Sequence, residues 1–239
     1  MKTKKHYLIV GGTSGLGYEY VKKIHKNNVV SVIGRNINKI SELNKKGVKA
    51  INFDLSNLID IEKQLSEIIS YNGKIDNFIF CAGIQNIKPM KMLTVEEIEK
   101  IITINFTSAA VLTSLCSKNK FSNELANFIL ISSTAASNPE RGIATYAATK
   151  AALNQLIKSL STELAPKRIN GIAPGWLKTP MTANFKHIYN EEFVNKYNKK
   201  ALGITSLDDV CNVIDYLLSG QSKYINGEII HVDGGARFC

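Results

Sequence analysis

Tyr146 and Lys150 stand four residues apart, and Ser133 lies thirteen positions before the tyrosine. On a helix that spacing puts phenol and ammonium on one face, one turn apart, close enough for the cation to lower the phenol's pKa. A phenol titrating near ~10 is a poor acid-base catalyst at neutral pH, and a fixed cation brings it toward the working range. Ser133 adds a hydrogen-bonding hydroxyl, provided the fold carries it alongside. The spacing alone is weak. With nine tyrosines and 30 Lys plus Arg in 239 residues, about one Tyr-x-x-x-Lys arises by chance, and Tyr18 with Lys22 is a second occurrence. Context separates the two: an apolar, strand-like run from Asn127 to Ile131 delivers two serines, and a polar loop then leads into an Ala-rich helix.

The elements that must position these groups begin at the N-terminus. Tyr7 to Val10 reads as a short buried strand, followed by Gly11, Gly15 and Gly17 as G-x-x-x-G-x-G and an apolar-periodic helix with Leu16, Tyr20, Val21 and Ile24. Strand, glycine turn and helix N-terminus make an anion site, because glycines permit close backbone approach and the helix's free N–H groups face the charge. The G-x-G-x-x-G dinucleotide fingerprint is absent from this loop, and a plain glycine turn is the alternative. A second buried strand, Val29 to Ile33, ends at Gly34-Arg35-Asn36. An NAD site places an acid at such a strand end to bind the ribose hydroxyls. Here Gly34 stands there and Arg35 follows, a guanidinium suited to a phosphate with help from the hydroxyl of Thr13 or Ser14. The expectation is NADP(H) in preference to NAD(H); a solvated loop charge is the competing reading of Arg35.

Helices are expected over Ile37 to Lys45, Leu58 to Ser70, a long stretch after the Thr94 to Glu97 capping box, Tyr146 to Glu163, and from the Ser206 to Asp209 cap through Leu218. Further strands end at Phe53, span Asn77 to Phe80, and close the chain at Glu228 to Val232. Asn105, inside the long helical stretch, is unfavourable there relative to Ala and wants a reason.

With the order glycine loop, Asn105, Ser133, Tyr146-x-x-x-Lys150 and Pro174-Gly175 in place, the sequence resembles the short-chain dehydrogenases/reductases, in their short, single-domain branch, over essentially its whole length. The resemblance implies one NAD(P)-binding catalytic domain over residues 1–239, α/β in class: a doubly wound, mostly parallel Rossmann sheet of about seven strands with helices on both faces. It implies Asn105, Ser133, Tyr146 and Lys150 as the catalytic set, Asn105 kinking its helix and holding a water that relays protons to Lys150. The cofactor contacts it implies are Gly11, Thr13, Ser14, Gly15, Leu16 and Gly17 in the first loop and Arg35 after the second strand. They continue with Asp54 and Leu55 at the adenine, Cys81, Ala82 and Gly83 after the fourth strand, and Tyr146 with Lys150 at the nicotinamide ribose. Pro174, Gly175, the Leu177 backbone and the Thr179 hydroxyl complete them at the nicotinamide. Asp54 has a local alternative, capping the next helix. The chain departs from the family at Val10, where Thr is usual, and at Phe80 and Cys81, where two Asn are usual. The connection Ala165 to Asn170 is about two residues shorter than usual, which calls for a tighter turn.

The activity implied is 3-oxoacyl-[acyl-carrier-protein] reductase-like reduction of a carbonyl by NADPH, on a small-molecule substrate, possibly carrier-linked. A sugar, polyol or other secondary-alcohol dehydrogenase is the alternative, left open by Asn184, His187, Tyr189 and Asn190 in the expected lid, Thr182 to Lys200. A non-catalytic dinucleotide sensor is opposed by the intact catalytic set. The small-residue face Ala147, Ala148, Ala151, Ala152 suits close helix pairing in the homotetramer (or homodimer) that the resemblance implies, or an intrachain core face.

Composition bounds the rest. The net charge of +10 raises nucleic acid as a partner, but the lysines are scattered and no basic helix alternates with aromatics. No nucleic acid or membrane partner is expected. The four cysteines show no metal-ligand or disulfide spacing, so no metal is expected either. The N-terminal apolar run is short for a signal peptide and no stretch suggests the ~18 apolar residues of a membrane span, so the expected location is cytoplasmic.

Overall fold

The computed structural model describes residues 4–239. Seven short strands form one sheet: β1 His6–Val10, β2 Val29–Gly34, β3 Lys49–Asn52, β4 Ile75–Phe80, β5 Ser122–Ile131, β6 Arg168–Pro174 and β7 Ile229–Val232, in the spatial order β3-β2-β1-β4-β5-β6-β7. Every neighbouring pair runs parallel, so the sheet is wholly rather than mostly parallel. Parallel strands are covered on both faces and read as continuous apolar runs, as β1, β2, β4 and β5 do. Alternate residues of these runs feed two cores. Leu8, Val10, Phe78, Phe80, Phe128 and Leu130 face one side, while Ile9, Val32, Ile79, Ile129 and Ile131 face the other.

The helices are α1 Gly15–Ile24, α2 Ser41–Asn44, α3 Ile61–Asn72, α4 Val95–Ile102, α5 Ser108–Ser117, α6 Ala144–Glu163, α7 Pro180–Ala183, α8 Glu191–Asn198 and α9 Leu207–Leu218. Leu65 of α3, Leu112 of α5 and Leu153 of α6 cover the first face, and Tyr20 of α1 with Val210 and Ile214 of α9 cover the second. The double winding puts the carboxyl ends of all seven strands on one edge, where an open α/β sheet presents its ligand crevice.

Three expected helices differ in detail. Ile37 to Lys45 is a 3-10 turn, Ile37–Ile40, followed by the one-turn α2, because only Ile40 and Leu43 find the core. The helix expected from Leu58 starts at Ile61: the Asp54 and Asn57 carboxyl and amide oxygens accept from Ser56 and Ile59 backbone N–H (2.9 and 3.1 Å), holding local turns in place of a helical start. The long helix after Thr94 is interrupted by a π-helical turn, Thr103–Thr107, between α4 and α5. The capping boxes at Thr94/Glu97 and Ser206/Asp209 both form.

The stretch Val95–Ser117 is 23 residues long with an 18-residue window of mean hydropathy 1.2, which by length and composition suffices to cross a bilayer, contrary to the sequence expectation. Half of that window is buried inside the protein, where α5 lies on β4 and β5, as a core helix does.

Candidate active site

A cleft of about 290 Å³ opens over the carboxyl edge of the sheet. Each residue expected to contact cofactor or substrate lines it except Gly17 and Asn105. Gly11 adopts a left-handed φ of +84°, and a Cβ there would lie 2.7 Å from the Ala82 backbone nitrogen; only glycine leaves that cradle open. Gly17 does its work beneath the cleft, since a Cβ would strike the Gly11 carbonyl at 2.5 Å, so it sets how closely α1 approaches β1. The first turn of α1 carries no acidic residue, leaving its N–H groups and dipole free for an anion.

At the end of β2, Arg35 is exposed on the cleft rim with no ion pair among the described residues. The preceding Gly34 is sterically locked: a Cβ there would lie 2.7 and 2.8 Å from the Thr13 methyl and hydroxyl. Thr13, itself buried, fills the room an acidic side chain would need. Asp54 lines the cleft with its pKa lowered, first by the Ser56 backbone N–H and to a lesser degree by Arg35; its helix-capping alternative fails because α3 starts at Ile61. An anion-ready helix start, glycine-floored walls and a guanidinium without an ion pair among the described residues together fit a dinucleotide cofactor.

The reacting end lies between β5, α6 and the π turn. Ser133 ends the run of β5 in extended backbone and its Oγ accepts from Ala135 N–H (3.1 Å). Lys150, 4% exposed, donates from Nζ to the Ile131 carbonyl (2.8 Å), and its ammonium lies 5.7 Å from the centre of the Tyr146 ring. The electrostatics correct the sequence reading. Burial pushes the Tyr146 phenol up to about 12, opposed by a hydrogen bond from Ser133. Burial also brings the Lys150 ammonium down to about 8. Desolvation outweighs attraction here because the ammonium is turned to a carbonyl and sits over the ring rather than at the hydroxyl. At neutral pH the phenol therefore holds its proton and the lysine still carries its charge.

Asn105 lies behind this group, fully buried in the π turn. Its Oδ1 accepts from Ile84 N–H (2.8 Å) and its Nδ2 donates to the Ile84 carbonyl (2.9 Å) and to Thr149 Oγ1 (3.2 Å). A methyl added at Gly83 would lie 3.5 Å from Asn105 Oδ1 and 3.7 Å from Lys150 Nζ, so amide and ammonium converge on the same glycine. The extra residue of the π turn is what swings this amide onto the β4 exit. The decoy pair shares the local geometry, Lys22 lying 5.1 Å from the Tyr18 ring centre, but Lys22 is ion-paired to Glu19 on the surface and lies outside the cleft.

Beyond Tyr146 the wall is aromatic. Trp176 stands 5.7 Å from Tyr189 and 5.6 Å from Phe193, and Tyr189 and Phe193 lie 4.9 Å apart. Gln85 donates to the Tyr189 hydroxyl (3.3 Å). Asn184, His187 and Asn190, which kept a polar lid open in the sequence reading, are exposed, and Asn190 caps α8 through Phe193 N–H (2.9 Å). Gln85, Glu140 and Tyr197 line the cleft without having been assigned from sequence; nothing local marks them, since two separate loops and α8 bring them together. In α6, Ala147 is buried while Ala148 and Ala151 are exposed, so the small-residue face is divided between the core and the surface.

Residues 10–237 match the family model described as enoyl-(acyl carrier protein) reductase. A 3-oxoacyl-[acyl-carrier-protein] reductase of Rickettsia felis is 32% identical over 98% of this chain and 97% of its own length, and one of Buchnera aphidicola is 31% identical over the same shares. Among solved structures, a 4-hydroxyisoleucine dehydrogenase complexed with NADH is 26% identical, with a TM-score of 0.90 and 98% of each chain covered. With the sheet order, the glycine-floored cleft and the Ser133, Tyr146, Lys150 group already in hand, these likenesses make the chain a member of the short-chain dehydrogenase/reductase family of oxidoreductases.

Proposed function

We propose that this chain, acting as one catalytic domain over residues 1–239, reduces a 3-oxoacyl thioester-like carbonyl with NADPH. The observation that carries the reading is the grouping of Ser133, Tyr146 and Lys150 in one cleft, at the point where its glycine-floored half meets the aromatic wall. Bound NADPH would supply the hydride. Gly11, Thr13, Ser14, Gly15, Leu16 and Gly17 would hold its pyrophosphate, Arg35 its 2′-phosphate, and Asp54, Leu55, Cys81, Ala82 and Gly83 its adenosine half. Pro174, Gly175, Leu177 and Thr179 would border the nicotinamide.

Within this arrangement Tyr146 donates its proton to the carbonyl oxygen, and Ser133 hydrogen-bonds that oxygen as negative charge develops. Lys150, charged below pH about 8, supports the departing proton electrostatically and reaches toward the ribose. Asn105 holds the Gly83 and Ile84 backbone beside Lys150 and supports proton return. A phenol that keeps its proton through the neutral range is in the form that carbonyl reduction requires. The mostly apolar wall of Ile84, Ile143, Met181 and Trp176 suits an acyl chain, and the carrier-protein reductases among the relatives support the thioester class. Glu140 and Gln85 in the same wall favour a second reading, a sugar, polyol or other secondary-alcohol dehydrogenase. Cytoplasmic location and a homotetramer, or a homodimer, complete the proposal.

Fluorescence titration with NADPH against NADH, followed by turnover of acetoacetyl thioesters, tests it. Tyr146→Phe is expected to lose at least about a hundredfold in turnover while retaining nucleotide binding; unchanged turnover would sink the mechanism, and equal affinity for both nucleotides would sink the role of Arg35.

A further inference from the structure

Tyr197 ties the aromatic wall to the cleft floor through a polar contact. Tyr197, on the last turn of α8, accepts a hydrogen bond at its hydroxyl from the backbone N–H of Trp176 (3.1 Å). The contact is close because residue 175 is glycine: a Cβ there would lie 2.9 Å from the Tyr197 hydroxyl and 2.9 Å from Asp233 Cβ. The Tyr197 ring sits 6.2 Å from that of Trp176 and 5.7 Å from that of Phe193, so ring and hydroxyl hold the same loop from two sides. Both Gly175 and Tyr197 line the cleft.

The segment after α8 is anchored separately. Leu202 N–H donates to the Gly234 carbonyl (3.0 Å) and Lys200 Nζ to the Cys239 carbonyl (3.3 Å). That C-terminal turn is itself fixed by Asp233, 3% exposed, which accepts from Gly235 N–H, Arg237 N–H and the Arg237 guanidinium. The far end of the wall is therefore pinned to the C-terminus, and the Tyr197 hydroxyl is the hydrogen bond that fixes α8 to the floor at Trp176.

We propose that Tyr197 is a positioning residue whose hydroxyl latches α8 to the Gly175–Trp176 peptide, setting the nicotinamide side of the floor and the wall of the carbonyl pocket as one unit. This rests on the dinucleotide-dependent reading given above. A latched wall is paid for before substrate arrives; an unlatched one spends part of its time open, and apparent affinity falls by the closed fraction.

Trp176 is the only tryptophan of the chain, so its emission reports the latch without any turnover. Tyr197→Phe keeps the ring and removes only the hydroxyl. In the free protein, acrylamide is expected to quench Trp176 about twofold more strongly in Tyr197→Phe than in the unsubstituted protein, and saturating NADP+ is expected to lower quenching in the unsubstituted protein only. With acetoacetyl thioester, the variant is expected to raise KM about three- to tenfold, the worth of one hydrogen bond, with kcat changed less than about twofold. Equal quenching in both free proteins, or a loss confined to kcat, would overturn the latch. An unsubstituted protein that neither binds NADP+ nor turns over the thioester would remove the reductase reading, and the quenching comparison of the free proteins would still decide the latch.

Discussion

At the scale of single residues, the site keeps a charge where the fold makes charge expensive. Burial lowers Lys150 from 10.5 to about 8, so between those values the unfolded chain binds a proton that the folded chain has released, and the stability from this group rises with pH across that window. Below pH 8 the full cost of burying the ammonium is present. Lys150→Met should therefore raise stability at pH 7 by about 1–2 kcal/mol, net of the unpaired Ile131 carbonyl, while abolishing turnover; the gain should fade by pH 10. Thermal melts of both proteins at pH 7 and pH 10 check this, and a gain unchanged at pH 10 would contradict the burial argument. Tyr146 behaves oppositely: raised from 10 to about 12, it contributes stability below pH 10 that is lost as pH rises through 12.

Gly34 and Thr13 make a second residue-scale pair. With only 2.7 Å between a Cβ at Gly34 and the Thr13 methyl, Gly34→Asp alone should cost about 1–3 kcal/mol through overpacking. Adding Thr13→Ala should recover most of that and shift preference toward NADH, measured by denaturant unfolding and by titration with both nucleotides. A stable, NADH-preferring Gly34→Asp single variant would show that Thr13 yields freely.

Among the elements, the π turn Thr103–Thr107 decides most. An uninterrupted helix would carry Asn105 past the β4 exit; the extra residue turns the amide back onto both backbone groups of Ile84. Asn105→Ala would leave that N–H and carbonyl without partners and should destabilise the protein by about 2–4 kcal/mol, with turnover falling more than nucleotide affinity. Urea unfolding and nucleotide titration separate the two effects. A loss below about 0.5 kcal/mol would mean that water replaces the amide without cost. The lid shows the converse relation of element to residue: α8 is short and exposed on one side, and its place depends on the Trp176, Tyr189, Phe193 cluster more than on helix propensity.

For the molecule as a whole, α6 carries an exposed small-residue strip, Ala144, Ala148 and Ala151, and α4, which packs on α6, exposes Ile102. In the proposed oligomer this strip lets a second helix approach closely. Ala151→Glu should then reduce the assembly measured by light scattering by at least one twofold step, at little cost to the fold because the side chain is already exposed. A monomeric unsubstituted protein would remove the oligomer from the proposal.

The sequence by itself determined most strands and helices, because apolar runs, glycine turns and capping boxes are local patterns whose period identifies them, while the double-wound sheet followed from the family resemblance that the order of motifs carries. The same resemblance named most of the residues that line the cleft at the carboxyl edge, because each motif follows a strand end. Only the tertiary structure decided the direction of the Tyr146 and Lys150 pKa values, because desolvation depends on what covers a group and not on its neighbour four residues away. It alone decided that Asn105 pairs with Ile84, that Thr13 occupies the space beside Gly34, and that Gln85, Glu140 and Tyr197 share a wall with Trp176. Each of those contacts joins segments tens of residues apart, whose approach is set by helix length, by the π turn and by the side chains that fill the space between them.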